Sequence, residues 1–175
     1  NQTVKQLMYS YLREGYEDVN VFSLDLWRLA GLMRAMAYQG DWEPVFRFLA
    51  AEVEKQTSIR DYLTSEKVIQ TFLLAYLNVT DYYLTRTEEE MGKGFADLYL
   101  EPFWQKYPEV RHGYLIELKY VPRSEWSETR GRQELEAAQT QLQQYAGDPR
   151  AKHSPRLLCA ALVFCGWELK IAQAI

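Results

Sequence analysis

Two short stretches, KGFADLYL (93–100) and GYLIELKY (113–120), decide the fold class that this sequence predicts. Both are rich in the apolar and aromatic residues that favour β-strands, and the second is apolar on both faces, as in a central strand covered by helices. Each nonetheless carries charge, Asp97 in the first stretch and Glu117 with Lys119 in the second. Because burying an unpaired charge costs several kcal/mol, these residues need a counter-charge, a hydrogen-bond network or a metal.

The spacing of these charges suggests a cation site. Residues two apart on a strand point to the same face, so Glu117 and Lys119 project together while Leu118 points away. If the two strands are neighbours, Asp97 and Glu117 can reach one small cation, with the Leu118 carbonyl as a third oxygen ligand. Lys119 is then placed to orient a water or to stabilise charge on a phosphate. The alternative is a structural ion pair between Lys119 and either carboxylate.

A helix predicted from about residue 131 to residue 146 adds two candidates. Gln141 falls on the apolar stripe of this helix, whose other members, at three- and four-residue spacing, are Leu135, Ala138, Leu142 and Tyr145. An inward amide can hydrogen-bond a phosphate, a nucleobase or a carboxylate, and Tyr145 offers a hydroxyl one turn later. The alternative is a buried glutamine that backbone groups satisfy.

Together these segments resemble the PD-(D/E)XK nuclease superfamily, in which an Asp on one strand precedes an (Asp/Glu)-x-Lys on the next. Asp97, Glu117 and Lys119 match that pattern, although Ala96 stands where the motif has its Pro. The resemblance implies an α/β, restriction-endonuclease-like core, which is a central mixed sheet flanked by helices. It also implies a nuclease that depends on Mg²⁺ or Mn²⁺, with DNA as the expected nucleic acid.

A wider resemblance covers most of the chain. The spacing of Gln141 and Tyr145 is similar to the Gln-x-x-x-Tyr element of the RecB-like branch. The segments GDWEPVFRFLAAEV (40–53), EKVIQTFLLAYL (66–77) and the two strands, in that order, resemble the C-terminal nuclease-like domain of bacterial AAA-ATPase-like proteins. This implies an upstream ATPase-like domain in the same polypeptide. A catalytically silent nuclease fold, kept for binding DNA or for docking that ATPase domain, is the alternative.

The resemblance also implies a role for each candidate. The catalytic candidates are Asp97, Glu117, Lys119, Gln141 and Tyr145. The metal would be held by Asp97, Glu117 and the Leu118 carbonyl. Members often carry a further acid on the helix before the first strand, and Glu66 is the candidate here. Its alternative role is structural, because the helix dipole favours an acid in the first turn without any active site.

Composition fits a globular domain and argues against tight, unassisted nucleic-acid binding. The 175 residues are 47% hydrophobic and carry a net charge of −4. Residues 1–90 hold 9 Lys and Arg against 14 Asp and Glu, whereas residues 91–175 hold 11 against 10, so the motif half is the less acidic half. Cys159 and Cys165 lie six apart on one predicted strand, too far for a disulfide, which favours a reducing, cytoplasmic location. No membrane span is expected.

The predicted elements divide at about residue 60. Residues 1–60 form a helical appendage, with a helix at 3–13, a second capped by Ser23 and a third from the N-cap Asp41 to Lys55. Residues 61–175 form the nuclease-like domain, in the order helix, three strands, helix, two strands. Its strands are predicted at 79–89, 95–100 and 114–120 and, joined by a turn at Gly166, at 156–165 and 167–171. Residues 101–111 are predicted to be a loop.

Overall fold

The computed structural model describes residues 25–55, 65–91, 94–146 and 155–175. The strands are β1 Tyr83–Met91, β2 Gly94–Pro102, β3 His112–Val121, β4 Arg156–Cys165 and β5 Glu168–Ala174. The α-helices of the described residues are α1 Leu26–Gln39, α2 Glu43–Lys55, α3 Glu66–Leu77 and α4 Glu128–Ala146, and a 3-10 turn covers Arg123–Glu125. The predicted order of one helix, three strands, one helix and two strands is therefore confirmed.

The five strands form one mixed sheet in the order β1-β2-β3-β4-β5. The first three are an antiparallel meander, β3 pairs in parallel with β4, and β4 pairs antiparallel with β5. Parallel neighbours need a crossover connection, and α4 supplies it. Gly166, with φ of 58°, turns β4 into β5, as the sequence predicts.

Helices cover both faces of the sheet, which leaves β3 central and buried. Tyr114, Ile116 and Leu118 of β3 pack in the larger core cluster with α1, α2 and α3. Leu115 points to the other face, where it packs in a second cluster with residues of α4. This alternation follows from the two-residue period of a strand. It places Glu117 and Lys119 on the face that α4 covers.

The helix caps differ from the sequence prediction. The N-cap of α1 is Asp25, whose carboxylate accepts a hydrogen bond of 3.0 Å from the Arg28 N–H, so the assignment of Ser23 was wrong. Both residue types cap well, and the start of the helix decides between them. The next helix begins at Glu43, with Pro44 in its first turn. An N-cap at Asp41 predicts a slightly earlier start.

Strand and helix boundaries also shift. The first strand begins at Tyr83 rather than Val79, because the Val79 N–H donates to the Tyr76 carbonyl in a turn that closes α3. The second strand runs on to Pro102, where the sequence predicts a loop. The helix predicted from about residue 131 begins at Glu128. A hydrogen bond of 3.0 Å from the Arg130 N–H to Ser127 Oγ caps it.

Some expectations fall outside the described residues. These are the helix at 3–13 and the segment 56–64, which contains the predicted domain boundary, so the division at residue 60 stays a prediction. Cys159 and Cys165 are buried free thiols, as predicted. Within the described ranges, no helix has the length and apolar character needed to cross a membrane.

Candidate active site

Strands β2 and β3 bring Asp97 and Glu117 together. Their register pairs Leu98 with Ile116, and the next residues on the two strands are Asp97 and Glu117. The Asp97 carboxylate accepts a hydrogen bond of 2.8 Å, through Oδ2, from the Leu118 N–H. Because the N–H and C=O of one strand residue point to the same side, the Leu118 carbonyl is also directed toward β2. The pairing of β2 with β3 ends at Leu98 and Ile116, and we call the space between the strands beyond this pair the gap. The Asp97 carboxylate and the Leu118 carbonyl both lie at this gap.

Glu117 and Lys119 form a buried ion pair on the face covered by α4. Lys119 Nζ donates to Glu117 Oε1 over 2.8 Å, and the side chains are 14% and 2% exposed. The ion pair that the sequence offered as an alternative is therefore present. It satisfies only part of the carboxylate, because Glu117 Oε2 is buried without a hydrogen-bond partner in the described part of the chain.

Helix α3 contributes Glu66 and a residue that sequence reasoning missed, Gln70. Glu66 is half-buried at the first turn, where its charge interacts with those of Asp97 and Lys119. Gln70 is buried and donates a hydrogen bond of 2.7 Å from Nε2 to the backbone carbonyl of Asp97. A polar residue between Ile69 and Leu73 on the apolar side of the helix was the signal that could have revealed it.

Helix α4 brings Gln141 and Tyr145 to the face of the sheet that carries Glu117 and Lys119. Tyr145 is buried, and its side chain forms a hydrogen bond with that of Gln141. Its hydroxyl also interacts electrostatically with Glu117, Asp97 and Lys119. Glu134, which the sequence analysis did not single out, lies on the same stripe of α4. It forms an ion pair of 2.6 Å with Arg130, and its charge repels that of Glu66.

The local electrostatics are dominated by an excess of carboxylates. Three acids, Glu66, Asp97 and Glu117, face one ammonium, Lys119, so the ionised cluster carries a net charge of −2. Burial and the charge of Asp97 raise the pKa of Glu117 to about 7, although Lys119 acts in the opposite direction. Burial and Asp97 also raise the pKa of Glu66. Lys119 is partly buried, which lowers its pKa, but the surrounding carboxylates raise it by more.

The donor set fits a hard divalent cation better than a transition-metal cluster. Across the ranges the structure describes, no three His, Cys, Asp or Glu side chains form a group that could hold a metal ion. A cation here would instead take carboxylate oxygens from Asp97 and Glu117, the Leu118 carbonyl and waters, which is the ligand set that Mg²⁺ accepts. Glu117 Oε2, which has no hydrogen-bond partner among the described residues, would be available as a ligand.

The sheet and the charged gap define an α/β domain of the restriction-endonuclease type. A model of the PD-(D/E)XK nuclease superfamily matches residues 64–174, and the chain belongs to that superfamily. Its members are in general nucleases that use divalent metals, which indicates a nucleic-acid substrate. No curated protein matches the chain, and neither does any solved structure.

We expect the metal-free protein to become less stable as the pH rises from about 5 to about 8. The pKa of Glu117 is about 7 in the folded state against an ordinary 4.5, so the folded state binds more protons in this range. The free energy of unfolding therefore falls with rising pH, by up to about 3 kcal/mol at 1.36 kcal/mol per pKa unit. Glu66 contributes with the same sign.

Chemical denaturation across this pH range measures the effect, with Glu117→Gln as the test variant. Glutamine cannot ionise, so its profile should be flatter than that of the wild type. The exposed Glu109→Gln is the matched control and should keep the wild-type slope. Equal slopes for the wild type and Glu117→Gln would contradict the burial of a titrating carboxyl at this position.

Proposed function

We propose that this chain is a metal-dependent nuclease that hydrolyses phosphodiester bonds in DNA. The observation that supports this most is the convergence of Glu66, Asp97 and Glu117 around Lys119 in a chain of the PD-(D/E)XK superfamily. Such a cluster of like charges is unfavourable by itself, and a divalent cation would neutralise its charge of −2. In this proposal the bound metal therefore offsets the repulsion among the three carboxylates.

In this proposal Asp97, Glu117 and the Leu118 carbonyl hold Mg²⁺ or Mn²⁺. Glu66 would contribute through a bound water, because no three acidic side chains of the described residues form a group that could hold the ion directly. The bound ion would lower the pKa of a water and offset charge on the phosphate. The Leu118 N–H keeps the Asp97 carboxylate aimed into the gap, since their hydrogen bond fixes one of its oxygens at 2.8 Å.

Lys119 is the residue proposed to act on the reacting atoms. Hydrolysis adds water across one P–O bond, giving a phosphate monoester and a hydroxyl group. The ammonium group, held beside the site by Glu117, orients the attacking water or donates to a phosphate oxygen as negative charge develops there. Gln141 and Tyr145, which hydrogen-bond each other, orient the substrate or the catalytic groups.

The second candidate function is a nuclease fold without catalysis, used for binding DNA or for docking another domain. The buried 2.8 Å pair between Lys119 and Glu117 favours it, because an ammonium already paired is less available to a phosphate. The net charge of −4 also weakens unassisted DNA binding. This alternative differs from the first in one respect, since it predicts no cleavage at any metal concentration.

We also propose a wider context on the basis of the sequence resemblance. The chain would belong to the RecB-like branch of the superfamily and act as the C-terminal domain of a cytoplasmic protein with an upstream ATPase-like domain. A comparison of nuclease activity in the longer protein with and without ATP would test that link.

Cleavage of supercoiled plasmid DNA tests the proposed function. We expect nicking in the presence of Mg²⁺ or Mn²⁺, none with EDTA, and a loss of about 100-fold or more in Glu117→Gln, which lacks one carboxylate ligand. The same assay on RNA measures the preference for DNA. Nicking that persists in EDTA and in Glu117→Gln would assign the activity to another site or protein. A complete absence of cleavage with measurable metal binding would favour the second candidate.

A further inference from the structure

Gln70 is a buried polar residue whose side chain points at the candidate site rather than at solvent. It is 6% exposed, and the only other polar or charged residue in the buried class within the described ranges is Glu117. Burying an amide is unfavourable unless its groups are hydrogen-bonded. Gln70 Nε2 meets that need with a 2.7 Å bond to the Asp97 carbonyl.

Asp97 is thereby held from two different elements. Gln70 of α3 binds its backbone carbonyl, and the Leu118 N–H of β3 binds its carboxylate. The first bond fixes the main chain from which the side chain projects, and the second fixes the direction of the carboxylate. Both bonds act at the point where the pairing of β2 with β3 ends, next to Leu98.

The same bond relates Glu66 to the strands. Glu66 and Gln70 are four residues apart on α3, so they lie on one face of the helix, one turn from each other. Anchoring Gln70 to the Asp97 backbone therefore sets the position of Glu66 relative to Asp97.

We propose that Gln70 is a positioning residue, which aims the Asp97 carboxylate and keeps Glu66 beside it by tying α3 to β2. The metal part of this inference rests on the proposed function. The hydrogen-bonding part does not, so the two can be tested separately.

The first test is amide hydrogen exchange in the metal-free protein. In Gln70→Met, which keeps the length of the side chain and removes its donor, the Leu118 amide should exchange about tenfold faster, because its acceptor is less well held. The amide of Ile116 in the same strand is the internal reference. Leu73→Met, a volume-conserving change on the same helix face, should leave the Leu118 amide unchanged. Unchanged exchange of this amide in a folded Gln70→Met protein would overturn the inference.

The second test is a calorimetric titration with Mn²⁺. Loss of a group that orients a metal ligand commonly weakens affinity by roughly 10–100-fold, and we expect that loss in Gln70→Met and none in Leu73→Met. Equal affinities of the wild type and Gln70→Met would overturn the positioning role. A wild type that binds no Mn²⁺ would instead overturn the proposed function, while the exchange result would still decide the structural part.

A second variant guards against misfolding of the first. Gln70→Leu also removes the donor to the Asp97 carbonyl, with a shorter and branched side chain, so it should speed exchange of the Leu118 amide as Gln70→Met does. Circular dichroism and thermal unfolding establish that each variant is folded. A folded Gln70→Leu protein with wild-type exchange at Leu118 would also overturn the inference.

Discussion

Replacing Lys119 by Ala is expected to reduce DNA cleavage by about 100-fold or more without weakening Mn²⁺ binding, because a lost donor to the developing charge costs about 10²–10³ in rate. Removing the ammonium also makes the cluster more acidic, which favours the cation. Steady-state cleavage at saturating Mn²⁺ measures the rate, and calorimetry measures the metal affinity. The separation of the two effects distinguishes Lys119 from the ligands beside it.

Two further variants support that experiment. Lys119→Met keeps the aliphatic stem and removes only the charged group, which limits damage to the packing around the buried pair. Lys106→Ala is the matched control, because Lys106 is an exposed lysine that pairs with Asp81 at the surface. It should cleave like the wild type. Wild-type cleavage by Lys119→Ala would exclude this lysine from the chemistry.

Replacing Asp97 by Asn is expected to weaken Mn²⁺ binding by about 100-fold or more, because the site loses one of its two carboxylate ligands. The amide oxygen can still accept the hydrogen bond from the Leu118 N–H, so the local fold should survive. Asp97→Ala removes that bond as well and should be less stable. Calorimetric titration gives the affinities, and chemical denaturation gives the stabilities.

Asp81→Asn is the matched control for the metal titration. Asp81 is an exposed acid that bonds to Lys106 and Tyr107, and its pKa is lowered mainly by the hydrogen bond from Lys106. Its substitution should leave Mn²⁺ binding unchanged. If Asp97→Asn and the wild type released the same heat with the same affinity, the metal would bind elsewhere, and the assignment of the site would fail.

The sequence predicted those parts of the site that depend on local periodicity. Glu117 and Lys119 share a face because strand residues alternate, and the apolar residues around them place that strand at the centre of the sheet. The same reasoning placed Gln141 and Tyr145 on the inward stripe of α4. A short sequence pattern cannot distinguish an ion pair from a metal site; the structure shows the ion pair, and Glu117 Oε2 has no hydrogen-bond partner among the described residues.

Contacts between elements distant in sequence were not predictable. Gln70 meets the Asp97 carbonyl across 27 positions of sequence, and no local pattern encodes that bond. Glu134 reaches the neighbourhood of Glu66 only because α4 crosses over the sheet. The cap of α1 was misassigned for a smaller reason, since Ser23 and Asp25 are both good capping residues and only the start of the helix separates them.

The most direct test of the central claim, that Asp97 and Glu117 hold a divalent metal beside Lys119, is X-ray diffraction from crystals grown with Mn²⁺. The anomalous signal of manganese identifies the ion and its position. We expect a peak between the two carboxylates, at oxygen distances of about 2.1–2.3 Å and within reach of the Leu118 carbonyl. The claim would be contradicted if no such peak appeared at saturating Mn²⁺. In that case Lys119 would still be hydrogen-bonded to Glu117, and the gap would hold only water.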